Sequence, residues 1–161
     1  MNPLARGMAA VTLTGCASLA LAADGDVSIA SLDRIGRAIV VQKCPRPIEV
    51  KTVLIRAEKA GSPDDEMEST ACPGLRMAIY RANATKPPRE RPMSLVLEEA
   101  NPQLAAVVGV GAAVDGVRAA LGPPTVMLGD NLVYALAARD TITFEVQAGR
   151  VRAVTWTWDV E

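Results

Sequence analysis

The sequence predicts an α+β protein in which a helix packs on a three-stranded antiparallel meander at the C-terminus. Three observations lead to this fold class. Apolar residues recur at helical spacing before Gly122, apolar and polar residues alternate between positions 141 and 146, and turn residues separate three short segments of strand character. Helix and sheet each have one apolar face, so we expect these faces to pack together.

The predicted helix ends at Leu121. Its apolar residues stand at spacings of four, three and four positions, which places them on one stripe of a helix. They are Val110, Val114, Val117 and Leu121. Gly122 and the two prolines after it cannot continue a helix, and they therefore mark its end.

Three strands follow this helix, and we expect them at residues 132–137, 141–146 and 151–158. In the middle strand Ile142 and Phe144 alternate with Thr141 and Thr143. Because successive side chains of a strand point to opposite faces, the sheet has one dry and one wet face. We expect Phe144 in the core and Thr143 at the surface.

The register of the last hairpin depends on its loop. A three-residue loop with Gly149 in the left-handed conformation pairs Phe144 with Val154 and Ile142 with Trp156. A two-residue loop would instead send Val154 and Trp156 to the threonine face. We predict the three-residue loop, because it unites the apolar residues.

The first half of the chain fits the same order of elements. We expect a helix at residues 31–42 and, after a proline-bearing break, strands near residues 50–58, 75–82 and 93–97. A tandem αβββ pair is therefore the wider hypothesis, although no residue identity links the two halves. The acidic segment 61–70 is predicted to be a loop, and the proline-rich segment 86–92 an extended connector.

The N-terminus has the pattern of an export signal. Arg6 closes a short positive region, residues 8–22 carry no charge, and the small residues Ala20 and Ala22 stand where a signal peptidase cleaves. This apolar run is too short to span a membrane, which takes about 20 residues. We predict a signal peptide at residues 1–23, a β-rich half at 24–100 with a disulfide, a C-terminal unit at 101–161, and a periplasmic location.

The same segment permits a second interpretation. Residues 13–16 read Leu-Thr-Gly-Cys, which resembles the lipobox of bacterial lipoproteins. In that case Cys16 is acylated and the protein is an outer-membrane lipoprotein. Contact with a membrane is expected only under this alternative. Ordinary signal-peptide cleavage remains the prediction, because residues 17–23 stay apolar where a lipoprotein usually has a polar tether.

Two cysteines remain after the predicted cleavage, Cys44 and Cys72. In an oxidising compartment an even pair predicts a disulfide. Their separation is too great for a redox Cys-x-x-Cys motif. The chain contains no histidine to complete a mixed zinc site, so we expect no metal ion.

The absence of histidine also removes Ser-His-Asp and Cys-His catalysis. The acidic residues between positions 64 and 68 lack the glycine and the closing glutamate of a calcium loop. Glu98 and Glu99 are adjacent, so in a strand they would point to opposite faces. We therefore expect a protein with no catalytic residues and no cofactor, with a small hydrolase as the remaining alternative.

Removing 23 of the 161 residues leaves 138, with 16 basic and 18 acidic side chains. This balance offers no general attraction to nucleic acid or to anionic lipid, so we expect no nucleic-acid partner. Exposed Trp, Tyr and Arg dominate protein interfaces. The candidate partner-binding residues are Tyr134, Arg150, Arg152 and Trp158. For Trp158 a place in the core is equally compatible with the sequence, and Trp156 is expected in the core.

Part of the C-terminal third resembles a known family. VGAAVDGVRAALGPP at residues 110–124, LVYAL at 132–136, ITF at 142–144 and GRV at 149–151 are similar to segments of the SmpA/OmlA (BamE-like) outer-membrane proteins. There a helix ending in Leu-Gly-x-Pro precedes a Tyr-bearing strand and a hairpin. The resemblance implies a non-enzymatic, partner-binding module that assists outer-membrane assembly or integrity.

A tandem αβββ pair suggests a second function. The β-lactamase inhibitory proteins use such units to grip an enzyme through a concave sheet. The alternative expectation is therefore a secreted or periplasmic protein that inhibits an enzyme.

Overall fold

A computed structural model of the chain describes residues 27–56, 61–137 and 139–159. Helix α1 (Ile29–Gln42) is followed by strands β1 (Glu49–Ile55), β2 (Asp65–Cys72), β3 (Leu75–Ala82) and β4 (Arg89–Leu97). After a 3₁₀ turn at Ala106–Val108 come helix α2 (Val114–Leu121) and strands β5 (Val126–Leu128), β6 (Asn131–Ala135), β7 (Thr141–Gln147) and β8 (Arg150–Thr157). The predicted signal peptide and Cys16 lie outside the described residues.

All eight strands belong to one antiparallel sheet, in the order β1-β2-β3-β4-β8-β7-β6-β5. Each half contributes a helix followed by four strands in sequence order. The halves join where their last strands pair, with Leu95 of β4 opposite Trp156 of β8. One sheet therefore runs through both halves.

The predicted fold class is wrong. Over the residues that the structure describes, the protein is predominantly β, an eight-stranded sheet with two short helices, and not a helix on a three-stranded meander. The C-terminal prediction missed β5, which has only three residues, all exposed and without alternation. In the first half it missed β2, which occupies most of the segment predicted to be an acidic loop. Strand β4 likewise begins at Arg89, inside the predicted connector.

Helix α1 forms although Ile39 and Val40 favour strands by propensity. Ser28 caps its N-terminus, because its hydroxyl accepts from the Ser31 backbone N–H and the Ser31 hydroxyl accepts from the Ser28 N–H. The helix buries Leu32, Ile39 and Val40 against the sheet. Tertiary packing and the Ser28 N-cap thus outweigh the local preference for a strand.

Helix α2 is shorter than predicted, since it begins at Val114 and leaves Val110 outside. It ends at Leu121, as the sequence predicts, because Gly122 adopts a positive φ of 78°. The core lies between the two helices and one face of the sheet, and Trp156, Phe144 and Ile142 are each 0% exposed there. The expected dry face of β7 is confirmed.

The pairing predicted for the last hairpin is confirmed, but its cause is different. Phe144 lies opposite Val154, and Ile142 lies opposite Trp156. The loop has two residues and not three, since Gln147 pairs with Arg150. A β-bulge at Arg152 then shifts the register by one residue and brings the apolar side chains to one face.

Within the described part of the chain, no helix is both long and apolar enough to cross a membrane.

Candidate functional site

Both helices pack on the same face of the sheet. Trp156, on this face, contacts α1 and donates its indole N–H to the carbonyl of Leu32 at 3.1 Å. Tyr134 donates its hydroxyl to the carbonyl of Gly122, at the end of α2, at 3.0 Å. Trp156 and Tyr134 are both cross-strand partners of Ile142, so they share one face. In residues 27–56, 61–137 and 139–159, no helix lies on the opposite side, which we call the open face.

Small side chains cross the middle of the open face. One row runs through cross-strand partners from β2 to β6, and its members are Ser69, Ala78, Ser94, Thr157, Thr141 and Ala135. A second row includes Val96, Thr155 and Thr143. We call the first set the small-residue row. Because these side chains are short, the backbone of the sheet is accessible to a large side chain of another molecule.

The open face contains a cavity of about 320 Å³ between β1 and β4. Ser69, Ala78 and Ser94 of the small-residue row line it, together with Lys51 and Arg76. Its floor is made by small side chains and its rim by charged ones. The cavity is therefore suited to accept one large side chain and to contact polar groups around it.

Several charged residues of the open face are paired with each other. Arg76 donates to Glu98 at 2.7 Å, and Lys51 lies 3.0 Å from Glu49. Near the β7–β8 hairpin, Arg152 forms an ion pair with Glu145. Each of these side chains is largely exposed or partly so, and exposed pairs contribute little to stability. Within each of these pairs the two charges offset each other.

Tyr80 places an aromatic ring on the open face, beside Asp65. The Tyr80 hydroxyl donates to the Asp65 carboxylate, which also accepts the backbone N–H of Asn83 at 2.8 Å. The hydrogen bond from Tyr80, followed by that from Asn83, lowers the pKa of Asp65 below its usual value. The same bond to Asp65, with some burial, raises the pKa of Tyr80. The pair holds the ring in one orientation.

Two of the predicted partner-binding residues lie in the core. Tyr134 is 3% exposed, and its ring packs edge-on against Phe144 with centroids 5.7 Å apart. Burial raises the pKa of its hydroxyl. Trp158 is also 3% exposed. Neither side chain offers contact area at the surface, because the helices cover the face to which both belong.

Trp158 is held by a polar cluster that links α1 to the sheet. Its indole N–H donates to Asp33 at 2.7 Å, and the guanidinium of Arg37 lies 5.2 Å from the centre of its ring. Arg37 also bridges Asp33 and Asp140, each at 3.0 Å. Trp158 therefore anchors α1 to the end of β8.

The two predicted arginines are exposed, but they contact different parts of the molecule. Arg150 donates to the carbonyl of Gly111 at 2.8 Å and so supports the segment before α2. Arg152 stands beside Glu145, which belongs to the open face. The structure does not bring the four predicted residues together into one patch. A role for Arg150 or Arg152 in binding stays a prediction.

Cys44 and Cys72 lie at disulfide distance, in agreement with the predicted pair, and their Cα atoms are 6.4 Å apart. The bond ties the segment after α1 to the end of β2. Among the described residues, no three His, Cys, Asp or Glu side chains are grouped closely enough to hold a metal ion.

Tyr80 was not among the predicted binding residues, although the sequence carries a signal for it. Leu75, Met77 and Ile79 alternate with Arg76, Ala78 and Tyr80, and such alternation predicts one wet face. That face proves to be the open one.

No family model, no curated protein and no solved structure matches this chain. The SmpA/OmlA-like resemblance is therefore carried by its short sequence segments alone.

Proposed function

We propose that this chain is a non-catalytic, protein-binding module of the bacterial cell envelope, which holds a folded partner protein against the open face of its sheet. The observation that carries this proposal is the placement of both helices on one side. The other side of an eight-stranded sheet is thereby left for a partner.

The size of the open face supports a protein as the partner. Neighbouring strands lie about 4.8 Å apart and a strand rises about 3.3 Å per residue, so the face spans roughly 34 Å by 25 Å. Its area is on the order of 800 Å², which is what one partner contributes to a standard protein–protein interface. A small ligand would cover only a fraction of this area.

The chemistry of the open face fits the same role. Ser, Thr and Ala side chains lose little rotamer freedom when they are covered. The ion pairs Arg76–Glu98 and Lys51–Glu49 lie toward the edges and ends of the strands, where interfaces are usually polar and wet. The cavity beside Ser94 would receive a large side chain of the partner, so the partner supplies most of the aromatic anchors.

The location in the envelope rests on the N-terminal signal pattern and on the cysteine pair. Cys44 and Cys72 stand at disulfide distance, and structural disulfides persist in oxidising compartments such as the periplasm. A role in outer-membrane assembly or integrity follows from the resemblance to the SmpA/OmlA proteins. Acylation of Cys16 would place the same module on the outer membrane.

Inhibition of an enzyme is the second candidate function. It is favoured by the continuity of the open face through both halves, where Ser94 of β4 lies opposite Thr157 of β8. A face built from both halves can enclose the rim of an active site from two sides. The identity of the partner distinguishes the two functions.

The proposal is tested by affinity capture from envelope extract with two variants. Ser94→Arg places a long charged side chain in the middle of the open face and should abolish capture of the partner. Ala38→Arg introduces the same side chain at an exposed position of α1, on the other side of the molecule, and should leave capture unchanged. Circular dichroism checks that both variants are folded.

Recovery of outer-membrane assembly components would support the scaffold function, and recovery of one soluble enzyme would support inhibition. Undiminished capture by Ser94→Arg would overturn the proposal that the open face binds the partner.

A further inference from the structure

Strand β1 forms one edge of the sheet and carries apolar residues on both of its faces, Val50 and Leu54 on one and Val53 and Ile55 on the other. All seven of its residues are exposed. Val50 and Val53 are each 51% exposed and Leu54 is 66% exposed. In the described part of the chain, nothing covers this edge. Proteins usually protect such edges, because a long exposed strand with unpaired backbone groups is a template for another strand.

The other edge of the sheet is different. Strand β5 has three residues, Val126–Leu128, and a strand this short offers few backbone groups for pairing. Strand β1 therefore stands out as the edge that is able to bind a further strand.

We propose that β1 pairs with β1 of a second copy of this chain, antiparallel and centred on Thr52, to form a dimer with one continuous sheet. An isologous contact of this kind uses the same edge twice and closes the assembly at two subunits. The inference is independent of the proposed function of the open face, because it concerns the edge of the sheet.

This register brings apolar side chains of the two copies opposite each other. All seven residues pair in this register. Val50 lies opposite Leu54 of the second copy at two symmetric places, Thr52 lies opposite itself, and Lys51 and Glu49 lie opposite Val53 and Ile55, so no two like charges face each other. Apolar pairs directly opposite each other stabilise a sheet. A register centred on Lys51 would place two ammonium groups opposite each other, which is unfavourable.

The dimer would present both open faces on the same side. Antiparallel pairing at an edge requires a two-fold axis perpendicular to the sheet, so the helices of both copies lie on one side and the open faces on the other. This consequence rests on the proposed function of the open face: two partner sites on one surface would bind a multivalent target more tightly than one site.

The register is tested under mild oxidation with cysteine variants of the chain that also carry Cys16→Ser, so that the introduced thiol is the one not in the Cys44–Cys72 pair. Thr52→Cys places two thiols on directly opposite residues, within the Cα separation of about 4.4–6.8 Å that a disulfide needs, and should give a covalent dimer on a non-reducing gel. Lys51→Cys is the matched control on the same strand and should not cross-link. Cross-linking of Lys51→Cys but not of Thr52→Cys would overturn the proposal.

Sedimentation of the native chain tests the association itself, and it should show a monomer–dimer equilibrium. Leu54→Lys should weaken this equilibrium by about tenfold or more, because it removes the apolar Val50–Leu54 pair at both symmetric places. Val41→Lys changes a residue of α1 that is 79% exposed and should leave association unchanged. A native chain that stays monomeric at every concentration would overturn the proposal, even if the open face binds its partner as proposed.

Discussion

Gly36 of α1 lies directly against the indole of Trp156, so closely that a Cβ atom on the glycine would stand 2.8 Å from the indole nitrogen. Trp156 cannot move aside, since it is fully buried and its N–H is bonded to Leu32. Overpacking of this kind costs about 1–3 kcal/mol, which exceeds the gain of about 1 kcal/mol from replacing a helical glycine. Gly36→Ala should therefore destabilise the protein, as measured by urea unfolding.

Gly116→Ala in α2 is the matched control. The nearest atom to its new Cβ would be Cγ2 of Val107, at 3.3 Å, and Val107 is 40% exposed and able to shift. This variant should be as stable as the native protein or more stable by up to ~1 kcal/mol. A stabilising effect of Gly36→Ala would contradict the close packing of α1 on Trp156.

The two faces of β7 should respond differently to truncation. Phe144 is 0% exposed and packs against Tyr134, so Phe144→Ala should cost about 3–5 kcal/mol. Thr143 points to the open face, and Thr143→Ala should change stability by about 1 kcal/mol or less. Denaturant midpoints of the two variants measure the contrast. Equal shifts would contradict a sheet with one dry face.

Reduction of the cysteine pair should destabilise the first half. The cysteines are 28 positions apart in sequence, and closing a loop of this length stabilises a fold by roughly 3–4 kcal/mol through the unfolded state. The melting temperature should fall when a reductant is added. The double variant Cys44→Ser and Cys72→Ser should melt at the lower temperature with or without reductant. Two freely reactive thiols in the native protein would refute the bond.

The Asp65–Tyr80 contact gives a prediction in terms of pH. Tyr80→Phe removes the main cause of the lowered pKa of Asp65, so that pKa should rise toward its usual value, as followed by carboxyl NMR. It should remain slightly low, because Asn83 still donates. The lowered pKa means that ionised Asp65 favours the folded state. This contribution is present above the usual aspartate pKa and is lost as the pH falls through the lowered one. An unchanged pKa in Tyr80→Phe would contradict the contact.

The sequence was informative where one short pattern determines one element. Gly122 ends α2, and the alternation around Phe144 gives the dry face of β7. The sequence-based prediction failed where a strand depends on contacts with residues far away in the sequence. The acidic residues of β2 suggested a solvated loop, yet Glu66 and Glu68 lie 2.9 and 3.7 Å from Arg81 on the neighbouring strand. The order of residues within β2 does not predict that contact with Arg81.

The binding residues were harder to predict than the core. Whether Trp158 is buried depends on α1, whose Asp33 lies 125 positions away in sequence and accepts its N–H. The open face itself depends on where both helices pack, which no local pattern specifies. Tyr80 could have been placed on a wet face by alternation, but the importance of that face becomes visible only when all eight strands are joined.

Site-specific photo-crosslinking tests the role of the open face most directly. A photoreactive amino acid is placed at Thr143 on the open face or at Ala38 on the exposed side of α1, and the cells are irradiated before lysis. We predict a cross-link from position 143 to one other envelope protein and none from position 38. Cross-links from position 38 without any from position 143 would contradict the proposed binding face.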